Sequence, residues 1–201
     1  MNYLAIDTSS EYLTVALSFE GRRFSSYSEN AGLRHSVRLM PEVDSVLKQA
    51  GIGVSDLDFF AVNIGAGSFT GIRIGVATVK AFAKSTGKKV LPVTAFDLMA
   101  YNESDGKLLT VIDARHGYYY VAGYADGVLD VQPQYLSEAE TLALCAGRKV
   151  LSFTEIPSLP VKVVSPLEGL WNAVEKKSSE AALPQDVHPL YVRKSQAEEH
   201  R

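Results

Sequence analysis

Apolar and polar positions change their period several times along the chain, and the changes divide it into elements. The run "YLAIDTS" is almost wholly apolar, "YLTVALSF" alternates more clearly, and "RRFSSYSE" is a third extended run, with Ser10-Glu11 and Glu20-Gly21 as turn signals between them. These predict a meander of antiparallel strands. In "RHSVRLMPEVDSVLKQAG" the residues Leu39, Val43, Val46 and Ala50 share one helical face, and Gly51 is a natural stop. Pro41 removes one hydrogen bond inside that helix and predicts a kink rather than two helices. A buried strand, "LDFFAVNIG", is followed by a glycine-rich stretch. The helix "TGIRIGVATVKAFAKSTG" then aligns Ile72, Val76, Val79 and Ala83, and "KVLPVTAFDLMAYN" adds a strand and a short helix.

By Tyr101 the order is β-β-β-α-β-α-β-α, and a second round begins. "KLLTVIDARHGYYYVAGYADGVLDVQPQYLS" holds three more strands and "EAETLALCAG" a helix. "LAIDTSSEYLTVAL" and "LTVIDARHGYYYVAGY" both run strand, Asp, short turn, strand, so a doubled βββαβα unit is expected. From about Arg148 onward prolines break the pattern into short pieces, and "EGLWNAVEKK" is the one clear helix. The expected halves are 1–101 and 102–201, the second smaller and degenerate.

Composition narrows the setting. A chain of 201 residues, 46% hydrophobic and 21% charged, can bury a core without covalent staples. Its one cysteine, Cys145, excludes an internal disulfide and a Cys-rich zinc cluster, which fits a reducing cytoplasm. A net charge of -3, with Lys88-Lys89 and Lys176-Lys177 as representative basic pairs, argues against a dedicated nucleic-acid binder. The amino terminus has neither the basic start nor the apolar stretch of a signal peptide, and no segment approaches the ~20 apolar residues that span a bilayer. A cytoplasmic location is expected.

Chemistry is most concentrated in "GAGSFTGIRIG", Gly65 to Gly75. A phosphate cradle of the Walker type needs Lys-Ser/Thr after its last glycine, where Ile72-Arg73-Ile74 stands, and a dinucleotide turn has one residue fewer between its second and third glycines. A tight strand-to-helix turn remains, with Gly65 and Gly67 available for positive φ and Ser68 or Thr70, on either side of Phe69, as helix cap. Gly71 and Gly75, four apart, lie on one helical face and let another backbone approach: a partner's helix, or the protein's own sheet.

Other polar residues have plainer readings beside the functional ones. Asp7, ahead of Thr8 and Ser9, could take magnesium, but suits a turn fixed by side-chain to backbone bonds. His35-Ser36 has the residue types of a base and a nucleophile but lacks a third orienting group, so capping is expected. Arg73 falls on a basic stripe with Lys80 and Lys84 and either meets an acidic partner group or is solvated. Asp113 and Arg115 stand at the turn corresponding to Asp7, as a local ion pair or a degenerate phosphate loop. Tyr118 and Tyr120 should share one strand face and Tyr119 the other. The histidines His35, His116, His188 and His200 are too scattered for a local metal motif.

The segments "AIDTSSEYLTVAL", "RHSVRLMPEVDSVLKQAGIGVSDLD", "GAGSFTGIRIGVATVKAFA", "PVTAFDLMA", "IDARHGYYYVAGY" and "HPLYVRKSQAE" together closely resemble the TsaB (also called YeaZ) family of bacteria, over nearly the whole chain. The family's glycine-rich motif has proline where Ala66 stands here. The resemblance implies an α/β fold of two actin-like (ASKHA, ribonuclease-H-like) domains with mixed sheets. It also implies a noncatalytic subunit in making threonylcarbamoyladenosine at position 37 of ANN-decoding tRNAs, with no catalytic residue, metal or cofactor of its own. The implied partners are the transferase TsaD and the ATPase TsaE, with a homodimer when TsaD is absent and tRNA contact indirect or weak. The implied contact surface is the first two helices, here His35, Leu39, Met40, Val43 and Leu47 on the first and Gly71, Arg73, Ile74, Gly75 and Thr78 on the second. A small-molecule kinase of the same fold is the alternative. Against it, Asp7 is followed by Thr8-Ser9-Ser10 instead of an Asp-x-Gly turn, and the chain has no Gly-Gly pair.

Overall fold

The computed structural model describes residues 1–31, 34–103 and 105–193. It divides into two compact units: 1–94 with 173–190, and 95–172 with the C-terminal residues from 191. The break therefore falls at Thr94–Ala95 and not after Tyr101, and the chain returns to the first unit late. The reason is local. Ala182 pairs with Val90 through two backbone hydrogen bonds of 2.8 and 2.9 Å, and Val187 is buried in the first unit's core.

In the first unit β1 (Tyr3–Asp7), β2 (Leu13–Phe19) and β3 (Arg22–Ser28) form the expected meander. After α1 (His35–Ala50), β4 (Phe59–Asn63) joins β1 in parallel; after α2 (Phe69–Thr86), β5 (Lys89–Val93) joins β4. The sheet order is β3-β2-β1-β4-β5. All five β1 residues and all five β4 residues are buried, as central strands covered on both faces must be. Leu39, Val43 and Val46 of α1 and Ile72, Val76, Val79 and Ala83 of α2 close one core with Leu4, Ile6, Val15 and Val62. Burying each larger aliphatic side chain contributes roughly 1.5–3 kcal/mol, so this core outweighs the modest helix propensity of the β-branched residues in α2. Pro41 lies inside α1, which runs unbroken and ends on Gly51 at φ 74°.

The second unit repeats the plan. After α3 (Ala95–Ala100) come β6 (Lys107–Asp113), β7 (Tyr118–Ala125) and β8 (Val128–Ser137), α4 (Glu138–Cys145), β9 (Lys149–Ser152), β10 (Val161–Val163) and α5 (Pro166–Lys177). Its order, β10-β9-β6-β7-β8, has the strand connectivity of the first sheet: an antiparallel meander whose first strand is joined in parallel by the next strand, which the last strand joins in turn. The doubling thus holds for the strand order, but no helix separates β9 from β10, so the second unit runs βββαββα where βββαβα was expected. The proline-broken stretch holds β10, a strand of three residues, too short for alternation to reveal.

Glu103 fastens the edge of this sheet. It accepts from Lys149 of β9 at 2.6 Å and from Lys162 of β10 at 2.5 Å, and hydrogen bonds from these two ammonium groups hold its carboxyl below the usual carboxylate range. A carboxyl lowered by folding stabilises fully above its unfolded value, near 4.3, and that contribution is lost as pH falls through the folded value. Glu103→Gln is therefore expected to lower the thermal midpoint at pH 7 and to narrow its gap from the parent below about pH 4. Melting curves across that range check this; a gap that does not change with pH would mean that the ion pair contributes nothing on folding.

Candidate functional site

The glycine-rich turn joins β4 to α2 and is seated on the β1–β2 turn. Asn63, at the end of β4, accepts the Gly65 N–H at 2.9 Å and donates Nδ2 to Ser9 Oγ at 2.9 Å. Gly65 has φ 120° and Gly67 φ 150°, so both use conformations that side chains disfavour. Ser68 donates its N–H to the Ser9 carbonyl at 2.6 Å and caps α2 by accepting the Gly71 N–H at 3.2 Å. Phe69 and Thr70 open the helix, exposed. Thr8 Oγ1 in turn donates to the Gly71 carbonyl at 2.7 Å. The Asp7 carboxylate accepts the Ser9 N–H at 2.8 Å, the turn-fixing role expected of it.

No space is left on the inner side of this turn's glycines. A Cβ at Gly67 would stand 2.1 Å from the Ser9 carbonyl oxygen, and one at Gly71 2.0 Å from that of Thr8. The glycines are there because the β1–β2 turn already lies against them. Nearby, Tyr12 and Tyr27 stack with centroids 5.6 Å apart. Burial first, then Tyr12, Glu29 and Asp7, push the Tyr27 phenol up to about 12. Among the described residues no group of three or more His, Cys, Asp or Glu side chains could hold a metal ion.

The same geometry corrects the expected contact surface. Gly71 and Gly75 face β1, not outward: a Cβ at Gly75 would meet Thr8 Oγ1 at 2.6 Å and Val62 at 3.4 Å. Leu39 and Val43 are buried in the core, because the apolar stripe of an amphipathic helix turns toward its own sheet. His35 is buried as well; its Nε2–H donates to the Tyr12 carbonyl at 3.0 Å and ties the start of α1 to the residue that leads into β2. It does not cap the helix: Arg34 occupies that position without a side-chain bond, while Ser36 is exposed. Leu47, Ile74 and Thr78 are half-buried, the first two against the core. Only Met40 and Arg73 of the expected set are exposed.

What α1 and α2 present outward shares only Met40 and Arg73 with that set. Val37 is 73% exposed, Met40 49% and Phe69 38%, and the Arg73 guanidinium lies 4.8 Å from the centre of the Phe69 ring. Val37 lies two positions from the buried stripe, and that offset was the signal in the sequence that could have found it. Lys80 is not solvated: its Nζ donates to the Val187 carbonyl at 2.9 Å. Leu190 donates its N–H to Ile64 at 2.7 Å and lays its carbonyl against Gly65. This returning strand of chain braces the turn, and nothing local in the sequence announces it.

In the second unit Asp113 accepts the Arg115 N–H at 2.7 Å and pairs with its guanidinium at 3.8 Å, the local ion pair expected. Tyr118 is exposed and Tyr119 buried, as alternation requires. His200 and the end of the "YVRKSQAE" motif, from 194 on, lie outside the described residues.

Two units, each a five-stranded mixed sheet with the same strand order, define a duplicated α/β fold of the actin-like, ribonuclease-H-like class. Known proteins agree. Residues 27–190 match the family described as TsaD, tRNA N6-adenosine threonylcarbamoyltransferase. The chain is 31% identical over its whole length to the tRNA threonylcarbamoyladenosine biosynthesis protein TsaB of Bacillus subtilis, covering 91% of that protein. It is 34% identical to the Escherichia coli TsaB over 62% of this chain and 55% of that one. Among solved structures, YeaZ from Pseudomonas aeruginosa superposes with a TM-score of 0.79 at 26% identity, covering 94% of this chain and 99% of that one. A Pseudomonas aeruginosa protein described as similar to peptidase YeaZ gives 0.82 at 27%, covering 96% and 99%. The chain belongs to the TsaB (YeaZ) family.

Proposed function

We propose that this chain is a noncatalytic activating subunit of the bacterial machinery that makes N6-threonylcarbamoyladenosine at position 37 of ANN-decoding tRNAs. It pairs through the exposed side of α1 and α2 with a TsaD-type transferase, a TsaE-type ATPase joins the assembly, and the same side forms a homodimer when the transferase is absent. The work is done in the cytoplasm; no helix among the described residues is long and apolar enough to cross a membrane.

The observation that carries the reading is the β1–β2 turn. Where an actin-like kinase has the glycine of its Asp-x-Gly turn, this chain has Ser9, whose N–H is held by the Asp7 carboxylate and whose carbonyl accepts the Ser68 N–H. The relatives' names supply the pathway, and the exposed Val37, Met40 and Phe69 supply a surface whose burial would favour association. Size-exclusion chromatography with light scattering tests it on the protein alone and mixed with TsaD of the same organism. The expected result is a homodimer that converts to a 1:1 complex. Isothermal titration with Mg-ATP should be silent; binding at micromolar strength, with no complex formed, would overturn the scaffold reading in favour of the kinase.

A further inference from the structure

The second unit carries a surface that pairing through α1 and α2 leaves unused. Tyr119 and Val121 of β7 turn to the core with Leu109, Val111 and Val150, so Tyr118, Tyr120 and Tyr124 share the other face of the strand. Tyr124 is covered there, donating its hydroxyl to Asp97 of α3 at 2.8 Å. The cover does not reach Tyr118, which is 41% exposed. Tyr135 of β8, paired across from Tyr120, stacks on Tyr118 with centroids 4.8 Å and planes 8° apart, and meets Tyr120 at 5.6 Å. The Arg193 guanidinium lies 4.9 Å from the Tyr135 ring centre and donates to its hydroxyl at 2.8 Å.

Basic chemistry borders these rings. The β6–β7 hairpin turns through Arg115, His116 and Gly117, with φ of 70°, 58° and 74°, and presents both side chains to solvent. The Arg115 side chain is 71% exposed. Three carboxylates stand nearby: Asp113 accepts the Arg115 N–H and pairs with its guanidinium at 3.8 Å, a contact a phosphate would have to displace, while Glu138 accepts from the Tyr119 hydroxyl at 3.3 Å and Glu140 from the Ser137 N–H at 2.9 Å.

We propose that this face is a contact for single-stranded RNA, with an unpaired base stacking on Tyr118 and the flanking phosphate meeting Arg115 and His116. A flat π surface edged by guanidinium is the form in which proteins meet unstacked bases; a protein-docking hot spot is a desolvated pocket. The net charge of -3 limits the electrostatic share, so stacking leads and one or two phosphates assist. The proposal rests on the reading that this chain serves a tRNA-modifying assembly, and it gives the chain a direct part in holding that RNA.

Fluorescence anisotropy with a fluorescein-labelled, unstructured single-stranded RNA tests it on the full chain at low salt. Tyr118→Ala should weaken binding about tenfold or more while Tyr118→Phe, which keeps the ring, binds as the parent does. Arg115→Gln should reduce the slope of log affinity against log salt by about 0.7, and a duplex of the same sequence should bind less well. Circular dichroism of each variant separates a lost contact from a lost fold. No RNA binding, equal binding of duplex and single strand, or an unaffected Tyr118→Ala would each overturn the proposal. So would a Tyr118→Ala protein that loses TsaD but not RNA, which would make the face a protein interface. A wild-type chain that forms the 1:1 complex yet ignores RNA sinks this inference alone; failure to form the complex sinks the scaffold reading instead.

Discussion

Gly71→Ala is expected to leave a protein destabilised by about 3 kcal/mol or more, a large part of the 5–15 kcal/mol that holds a typical domain together. Two effects oppose each other. Alanine in place of glycine inside a helix stabilises by up to about 1 kcal/mol. Against that, the new methyl would stand 2.0 Å from the Thr8 carbonyl oxygen, a distance that real Cβ atoms do not adopt, and the obstacle is backbone that cannot rotate away. To make room, α2 must lift from the β1–β2 turn, which breaks the Thr8 to Gly71 and Ser68 to Ser9 hydrogen bonds and loosens Ile72 and Val76. Gly75→Ala meets a softer obstacle, the Thr8 hydroxyl at 2.6 Å. Removing that hydroxyl should relieve it, so Thr8→Ala with Gly75→Ala should cost less than the sum of the two singles by about 1 kcal/mol, whereas Thr8→Ala should not rescue Gly71→Ala. Urea unfolding of the five variants and the parent measures all of this. A Gly71→Ala chain as stable as the parent would mean that α2 does not sit on β1 in solution.

The glycine pair also shows what could and could not be read from the chain. Spacing placed Gly71 and Gly75 on one helical face and implied a close backbone approach, which the structure shows at Gly71, while Gly75 meets the side chains of Thr8 and Val62. Spacing carries no sign for inward or outward, since a helix packed on its own sheet and one packed on a partner show the same four-residue repeat. The apolar stripe of α1 had that ambiguity too, and there the inward choice is the physical default: Leu39 and Val43 gain more from a core present in every molecule than from a partner met occasionally. Ser68 as cap and Asp7 as turn-fixer were legible because those interactions span two or three residues. His35 on the Tyr12 carbonyl and Lys80 on that of Val187 were not, because the partner is a backbone oxygen 23 or 107 residues away and has no residue type to recognise. The doubled topology was visible as repeated element order, while the return of 173–190 to the first unit depends on an edge pairing with Val90 that no local pattern encodes.

If the proposed pairing through α1 and α2 holds, the surface it uses is their exposed side once the inward residues are set aside, and Val37→Glu with Met40→Glu should abolish assembly. Both side chains stand largely in solvent, so their replacement should move the unfolding midpoint by no more than about 0.5 kcal/mol. Burying two carboxylates in an interface without partners costs several kcal/mol, so the affinity for TsaD should fall more than a hundredfold and the homodimer should be lost with it. Phe69→Ala should act in the same direction by a smaller factor, since it removes a half-exposed ring and the face on which Arg73 rests. Leu39→Ala makes the contrast: it empties a core site and should cost 2–5 kcal/mol of stability, yet assemble once folded. Light scattering on the mixtures, with urea unfolding of each variant alone, separates the two patterns. If the double glutamate variant still forms a 1:1 complex, the transferase docks elsewhere; if Leu39→Ala folds but fails to assemble, the buried stripe must open on binding.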